Sequence, residues 1–253
     1  MSGDRNPGET SQTSRLLDFF VSSLVPRMAK EGYPFLLPLL LVVVLSFSLG
    51  MSWLGSIFLA LAVFIAYFFR DPERLIPADE AAIVSPADGK IVGIAAEPDR
   101  TTRVSIFLSV FNVHINRSPI AGEVESVRYV PGKFKVAFDA TASAENEQNV
   151  LVIRSGSDKI KFSQIAGILA RRIVCWKKPG DSVAKGERVG LIKFGSRVDI
   201  FLPDSVALSI NLGDKVQGGA SVIGRIKHAA GSLLVSFWRK NRRVSFGLLE
   251  GVS

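Results

Sequence analysis

A run of 38 residues without a single charge, Gly32 to Phe69, constrains this chain more than any other feature. An uncharged stretch of that length reads as a membrane segment. As one straight helix it would measure roughly 57 Å at 1.5 Å per residue, about twice the ~30 Å hydrocarbon core. A two-helix hairpin fits better, with its turn in LGMSWLG, Leu49 to Gly55, where glycines and a serine interrupt the apolar run and Trp53 suits an interface. Arg15, Arg27 and Lys30 precede the run, and Arg70 and Arg74 follow it. The positive-inside tendency then places both ends, and the remaining chain, on the cytoplasmic face of the cell membrane. A buried hairpin in a soluble protein is opposed by the length and the lack of charge. A secretory signal is opposed by the polar residues ahead of the run and the lack of a small-residue cleavage site after it. The organisation expected is a polar lead-in over 1–31, the hairpin over 32–69, a β domain over 70–226 and a basic tail over 227–253.

From Ala81 onward, short segments rich in Val, Ile and Phe alternate with Gly, Pro, Asp and Asn turns, as in AAIVSPADGKIVGIAAE and NVLVIRSGSDKIKF. That is an all-β pattern. Two internal echoes sharpen it. SPADGKIVGI (Ser85 to Ile94) resembles SPIAGEVESV (Ser118 to Val127), and KPGDSVAKGERVGLI (Lys178 to Ile192) resembles NLGDKVQGGASVIGRI (Asn211 to Ile226). Gly-Asp-x-Val-x-x-Gly is a tight inter-strand turn, in which glycine permits positive φ and aspartate caps its own backbone. A repeated unit of this kind resembles the barrel-sandwich hybrid of lipoyl and biotinyl domains. The fold class expected is mainly β, barrel-sandwich-hybrid-like, with an N-terminal hydrophobic helical hairpin.

The net charge of +8 is concentrated in KKPGDSVAK and, near the C-terminus, in RIKH and FWRKNRR. Beside a membrane segment, such a surface reads as attraction to anionic head groups. No aromatic-interleaved basic motif supports nucleic acid as a partner. The single cysteine, Cys175, excludes an internal disulfide and a cysteine-based zinc site, and no metal is expected.

Of four Gly-Ser steps, only Gly195-Ser196 is framed on both sides by strand-like sequence, FGSRVDIFLP. Self-cleavage needs a hydroxyl on the carboxyl side of the peptide to be broken, so that Ser196 Oγ can attack the Gly195 carbonyl and shift the acyl group from nitrogen to oxygen. β-Elimination of that ester would leave a dehydroalanine that hydrolyses to a pyruvoyl group. The alternative is an ordinary strand serine. Asp88, in SPADGK, is by itself a turn aspartate, and His114, in FNVHINR, a core histidine.

Three elements together resemble phosphatidylserine decarboxylase in its short bacterial and archaeal form: FFRDPER followed by SPADGK, IFLSVFNVHINRSP, and KFGSRVDIFLP. With the strands between them, the resemblance covers roughly Pro34 to Ile226. It implies cleavage between Gly195 and Ser196, giving a β chain of residues 1–195 and an α chain of residues 196–253 that form a heterodimer. It further implies a pyruvoyl cofactor derived from Ser196, and a phospholipid substrate. Asp88 would help to activate Ser196, and His114 would lie beside the substrate carboxylate and pass a proton to the product carbon. Arg117, Lys133 and Lys135 are candidates for the lipid phosphate, for which arginine's fork is well suited, with solvated surface charge the competing reading for the two lysines. His228 is assigned to the surface. The other reading is a membrane-tethered lipoyl-like carrier with Lys159 as its swinging arm, since Lys159 lies 22 residues before Asp181 (181 − 159).

Overall fold

The structure, a computed structural model, describes residues 27–133, 145–167, 172–193 and 196–227. Gly195, Lys135, His228, most of the polar lead-in and all but the first residue of the basic tail lie outside the described residues.

The apolar run folds as two helices, α1 (Tyr33–Ser48) and α2 (Ser52–Phe68). Their link, Leu49 to Met51, is shorter than the expected turn, because Gly50 takes a φ of 74° and reverses the chain at once. Trp53 and Gly55 therefore belong to α2. At 1.5 Å per residue the helices measure about 24 and 26 Å, each close to one hydrocarbon thickness. Leu37, Leu41, Val44, Trp53, Ile57 and Val63 are all more than half exposed. The stretch Lys30–Ser48 is long and apolar enough to cross a membrane. Both hairpin ends lie together, because Ala29 N donates to Phe69 O at 2.8 Å and Asp71 N to Arg27 O at 2.6 Å. A small apolar cluster of Ile65, Phe68, Phe69, Val113, Ile115 and Leu191 joins this base to the β domain.

The β domain contains β1 (Ala82–Val84), β2 (Gly89–Ala96), β3 (Thr101–Leu108), β4 (Ile115–Arg117), β5 (Gly122–Val130), β6 (Gln148–Ser155) and β7 (Asp158–Ala166). It continues with β8 (Ile173–Cys175), β9 (Ser182–Val183), β10 (Arg188–Ile192), β11 (Ser196–Pro203), β12 (Val206–Leu208), β13 (Lys215–Val216) and β14 (Val222–Ile226). An eight-stranded antiparallel sheet runs β13-β2-β3-β11-β7-β6-β5-β9, and two three-stranded sheets run β1-β14-β12 and β4-β10-β8. This is the mainly β class expected.

The sheet order is unchanged when β1, β2, β3, β11, β12, β13 and β14 are exchanged for β4, β5, β6, β7, β8, β9 and β10. The sequence echoes mark this duplication bond by bond. Gly219 N donates to Ser85 O, and Gly186 N to Ser118 O, both at 2.8 Å. Asp214 Oδ2 accepts from Asn211 N at 2.8 Å, and Asp181 Oδ2 from Lys178 N at 2.9 Å. Gly180, Gly186, Gly213 and Gly219 all have positive φ, which is why glycine recurs there. One half, β4 to β10, is continuous over 115–192. The other is split around it, and its β3 and β11 pair across the insertion from Leu108↔Ser196 to Thr101↔Pro203. In the continuous half a tight turn joins Ser155 to Asp158 at the corresponding place. Ser196 therefore stands where its half has lost a hairpin turn.

Candidate active site

Ser196 is the first residue of β11 and lies between Leu108 of β3 and Ala166 of β7. It is fully buried, and its Oγ has no hydrogen-bond partner among the described residues. Its strand alternation sends it to the inner face with Val198 and Ile200, both fully buried. An unmade hydroxyl bond in such a place costs stability and is uncommon. Lys193, three residues earlier, holds its Nζ 5.3 Å from the ring centre of Phe35 in α1, so this end of the sheet faces the hairpin base.

His114 follows the β3–β4 loop at the same end, and its carbonyl accepts from Ile192 N at 3.3 Å. Its ring lies 4.2 Å from that of Phe68, the last residue of α2. Nδ1 is 3.0 Å from Asn112 O, which makes Nδ1 the protonated nitrogen and leaves Nε2 as an acceptor. Nε2 is buried and unpartnered among the described residues. Burial is the main force that pushes the imidazole down to about 4, and the charge on Arg70 adds to it. The ring is neutral at pH 7.

Asp88 lies two strands from Ser196 at the same sheet end, just before Gly89, the first residue of β2. Its Oδ1 accepts from Gly218 N at 2.8 Å and its Oδ2 from Arg74 Nη2 at 2.7 Å. Burial raises its pKa, although Arg74 and the Gly218 N–H both act to lower it. The duplicated turn forms with Ala121 in place of Asp88, so the turn itself does not require a carboxylate. Arg74→Met would leave this carboxylate buried with one backbone donor. We expect it to cost about 3 kcal/mol, as for a broken buried pair, read as a lowered urea midpoint, with Asp88→Asn in the same chain recovering part of the loss. An unchanged midpoint would show that Arg74 does not hold Asp88.

The segment Arg70–Arg74 clasps hairpin to domain. Arg70 Nη2 donates to Phe111 O at 2.8 Å, Asp71 pairs with Arg117 and Arg188, and Glu73 pairs with Arg27 and Arg188. Arg117, expected as a candidate for the lipid phosphate, is part of this clasp. Its guanidinium is buried and committed to Gly186 O at 3.0 Å, Pro72 O at 3.0 Å and Asp71 at 3.3 Å. Lys133 is exposed and pairs with Glu145. Lys159 stands beside the β6–β7 turn, with its Nζ 2.7 Å from Glu125. The structure thus brings Ser196, His114 and Asp88 to one end of the sheet without direct bonds among them. Neither Arg74 nor Gly218 was singled out from the sequence as a site residue. FFRDPER contains the first, but nothing local reveals that it reaches Asp88.

A family model described as phosphatidylserine decarboxylase matches residues 61–224. Among relatives named phosphatidylserine decarboxylase proenzyme, that of Desulfotalea psychrophila is 47% identical over 208 residues, covering 79% of this chain and 96% of the relative. That of Chlorobium chlorochromatii is 49% identical over 197 residues, covering 75% and 93%. That of Symbiobacterium thermophilum is 46% identical over 209 residues, covering 79% and 96%.

Proposed function

This chain belongs to the phosphatidylserine decarboxylase family, and on that premise we propose that it removes CO2 from phosphatidylserine to leave phosphatidylethanolamine, using a pyruvoyl group made from its own Ser196. The observation that carries the reading is the Ser196 hydroxyl, buried and without a hydrogen-bond partner among the described residues at the head of a central strand. The residue fits the group. Ladders to β3 and β7 would hold a new chain end there, while its side chain already occupies a closed interior position.

Attack by Oγ on the Gly195 carbonyl turns the Gly195–Ser196 peptide into an ester and frees the serine amine. Elimination then releases the Gly195 carboxylate, and water replaces the resulting enamine nitrogen as ammonia. Chains 1–195 and 196–253 stay together because β11 to β14 contribute to two of the three sheets. The pyruvoyl carbonyl supplies a partner for the substrate amine and a sink for the electrons left when CO2 departs. His114, neutral and with Nε2 open, accepts a proton and returns it to the product carbon. Asp88, fixed by Arg74 and Gly218, supports the activation of Ser196.

The outward apolar faces of α1 and α2 support membrane insertion, with the β domain on the cytoplasmic side. The hairpin base would then bring the Ser196 end to head-group level, where a lipid amine and carboxylate lie. The anionic membrane surface is a partner by the same argument. The carrier reading built on Lys159 keeps its turn position, but it does not account for the decarboxylase family to which the chain belongs. Processed protein supplied with carboxyl-labelled phosphatidylserine in mixed micelles should release labelled CO2, and free serine should be turned over far more slowly. Equal release from both would overturn the lipid assignment.

A further inference from the structure

Three buried amides cross the interior behind Ser196. Asn149 Nδ2 of β6 donates to Gln164 Oε1 of β7 at 3.1 Å, and Gln164 Nε2 donates to Asn116 Oδ1 of β4 at 2.8 Å. Asn116 and Gln164 are fully buried and Asn149 is nearly so. The β10 partner of Asn116 is Gly190, where a Cβ would stand 2.2 Å from Val174 O and 3.1 Å from Gln164 Nε2, so the glycine required by the β8 backbone also leaves room for the relay. Its direction is set by these bonds. Asn116 Oδ1 accepts from Gln164, and its Nδ2 donor is left buried and unpartnered among the described residues.

The relay is next to Ser196. Gln164 lies directly across from Val198, two residues from Ser196 on the same inner face. That makes Ser196 and Gln164 a diagonal pair, about 7–8 Å apart in such ladders. One end of the interior therefore holds an unspent hydroxyl and, one hydrogen bond beyond its diagonal neighbour, an unspent donor. A core packed only for stability would have paired or replaced both.

We propose that Asn116 is the hydrogen-bond donor of the self-processing site, held by Asn149 and Gln164 so that Nδ2 stabilises the negative charge formed on the carbonyl oxygen that Ser196 attacks. The proposal deepens the processing reading above and rests on it. Attack moves an electron pair from the C=O bond onto that oxygen, and a donor already fixed in a dry interior needs no reorganisation to receive it. The bond from Gln164 to Oδ1 orients the Asn116 amide and leaves Nδ2 as the group free to donate.

The test follows cleavage of the full chain by intact mass in wild type, Asn116→Ala and Asn116→Asp, with folding checked by thermal melting. Asn116→Ala should cleave about 100-fold or more slowly, the usual cost of one such donor. Asn116→Asp keeps the shape and donates only when protonated, so its cleavage should accelerate as pH is lowered, a recovery that a purely packing role does not produce. Should Asn116→Ala fail to fold, Asn116→Asp decides alone. Cleavage of the folded variants within a few-fold of wild type, without that pH dependence, overturns the proposal. An uncleaved wild type overturns the processing reading itself, which is a separate result.

Discussion

Ser196→Ala is expected to give a single chain of 27.4 kDa that neither cleaves nor releases CO2, yet folds at least as stably as the unprocessed chain that still carries Oγ. The two halves of that expectation come from one atom. Without Oγ there is no nucleophile for the acyl shift and no oxygen to leave by elimination, so loss of activity is complete. The same Oγ is buried without a partner among the described residues, and replacing an unsatisfied hydroxyl by a hydrogen removes a desolvation penalty. A gain of about 1 kcal/mol in a denaturant melt is the expected sign and size. A variant that unfolds would instead mean that the hydroxyl is structural. A variant that still yields two chains would mean that the bond broken is elsewhere.

His114→Phe should have the second largest effect. It keeps the stacking on Phe68 and removes both nitrogens, so the loss reports proton transfer more than packing. Decarboxylation per pyruvoyl-bearing chain should fall about 10²–10⁴-fold, the range for a positioned acid or base. Stability should respond as well. Folding lowers the pKa of this ring from its ordinary 6.5 to about 4, so as pH falls the unfolded chain takes the proton first. Stability that is fully present above pH 6.5 is lost between 6.5 and 4, by about 3 kcal/mol for that shift. His114→Phe should flatten this part of the stability profile. Equal slopes in both proteins would show that the ring is not buried in its neutral form.

The apolar hairpin was legible because its residues act one by one: each of 38 positions lacks a charge, and no distant partner can change that. The Gly-Asp turns were legible for a related reason, since glycine at positive φ and aspartate capping its own turn are local requirements. The nesting of one half inside the other was not. It rests on Leu108 pairing with Ser196, and no local pattern encodes a ladder between residues so far apart. The site divides in the same way. Ser196, His114 and Asp88 stood out by residue type and motif, but their settings depend on remote partners. Asp88 is held by Gly218, 130 residues away, and Gln164 by Asn116 across 48. Arg117 shows the converse. Its fork suited a phosphate, and only the tertiary structure reveals that Asp71, Pro72 and Gly186 already fill it.

The most direct measurement is the intact mass of the purified wild-type protein under denaturing conditions. Two chains dividing between Gly195 and Ser196 are expected, the smaller having 58 residues (253 − 195) and carrying a keto group where its amine would be. A single chain of the full 27.4 kDa mass, or a small fragment with a free amino terminus, would contradict the account.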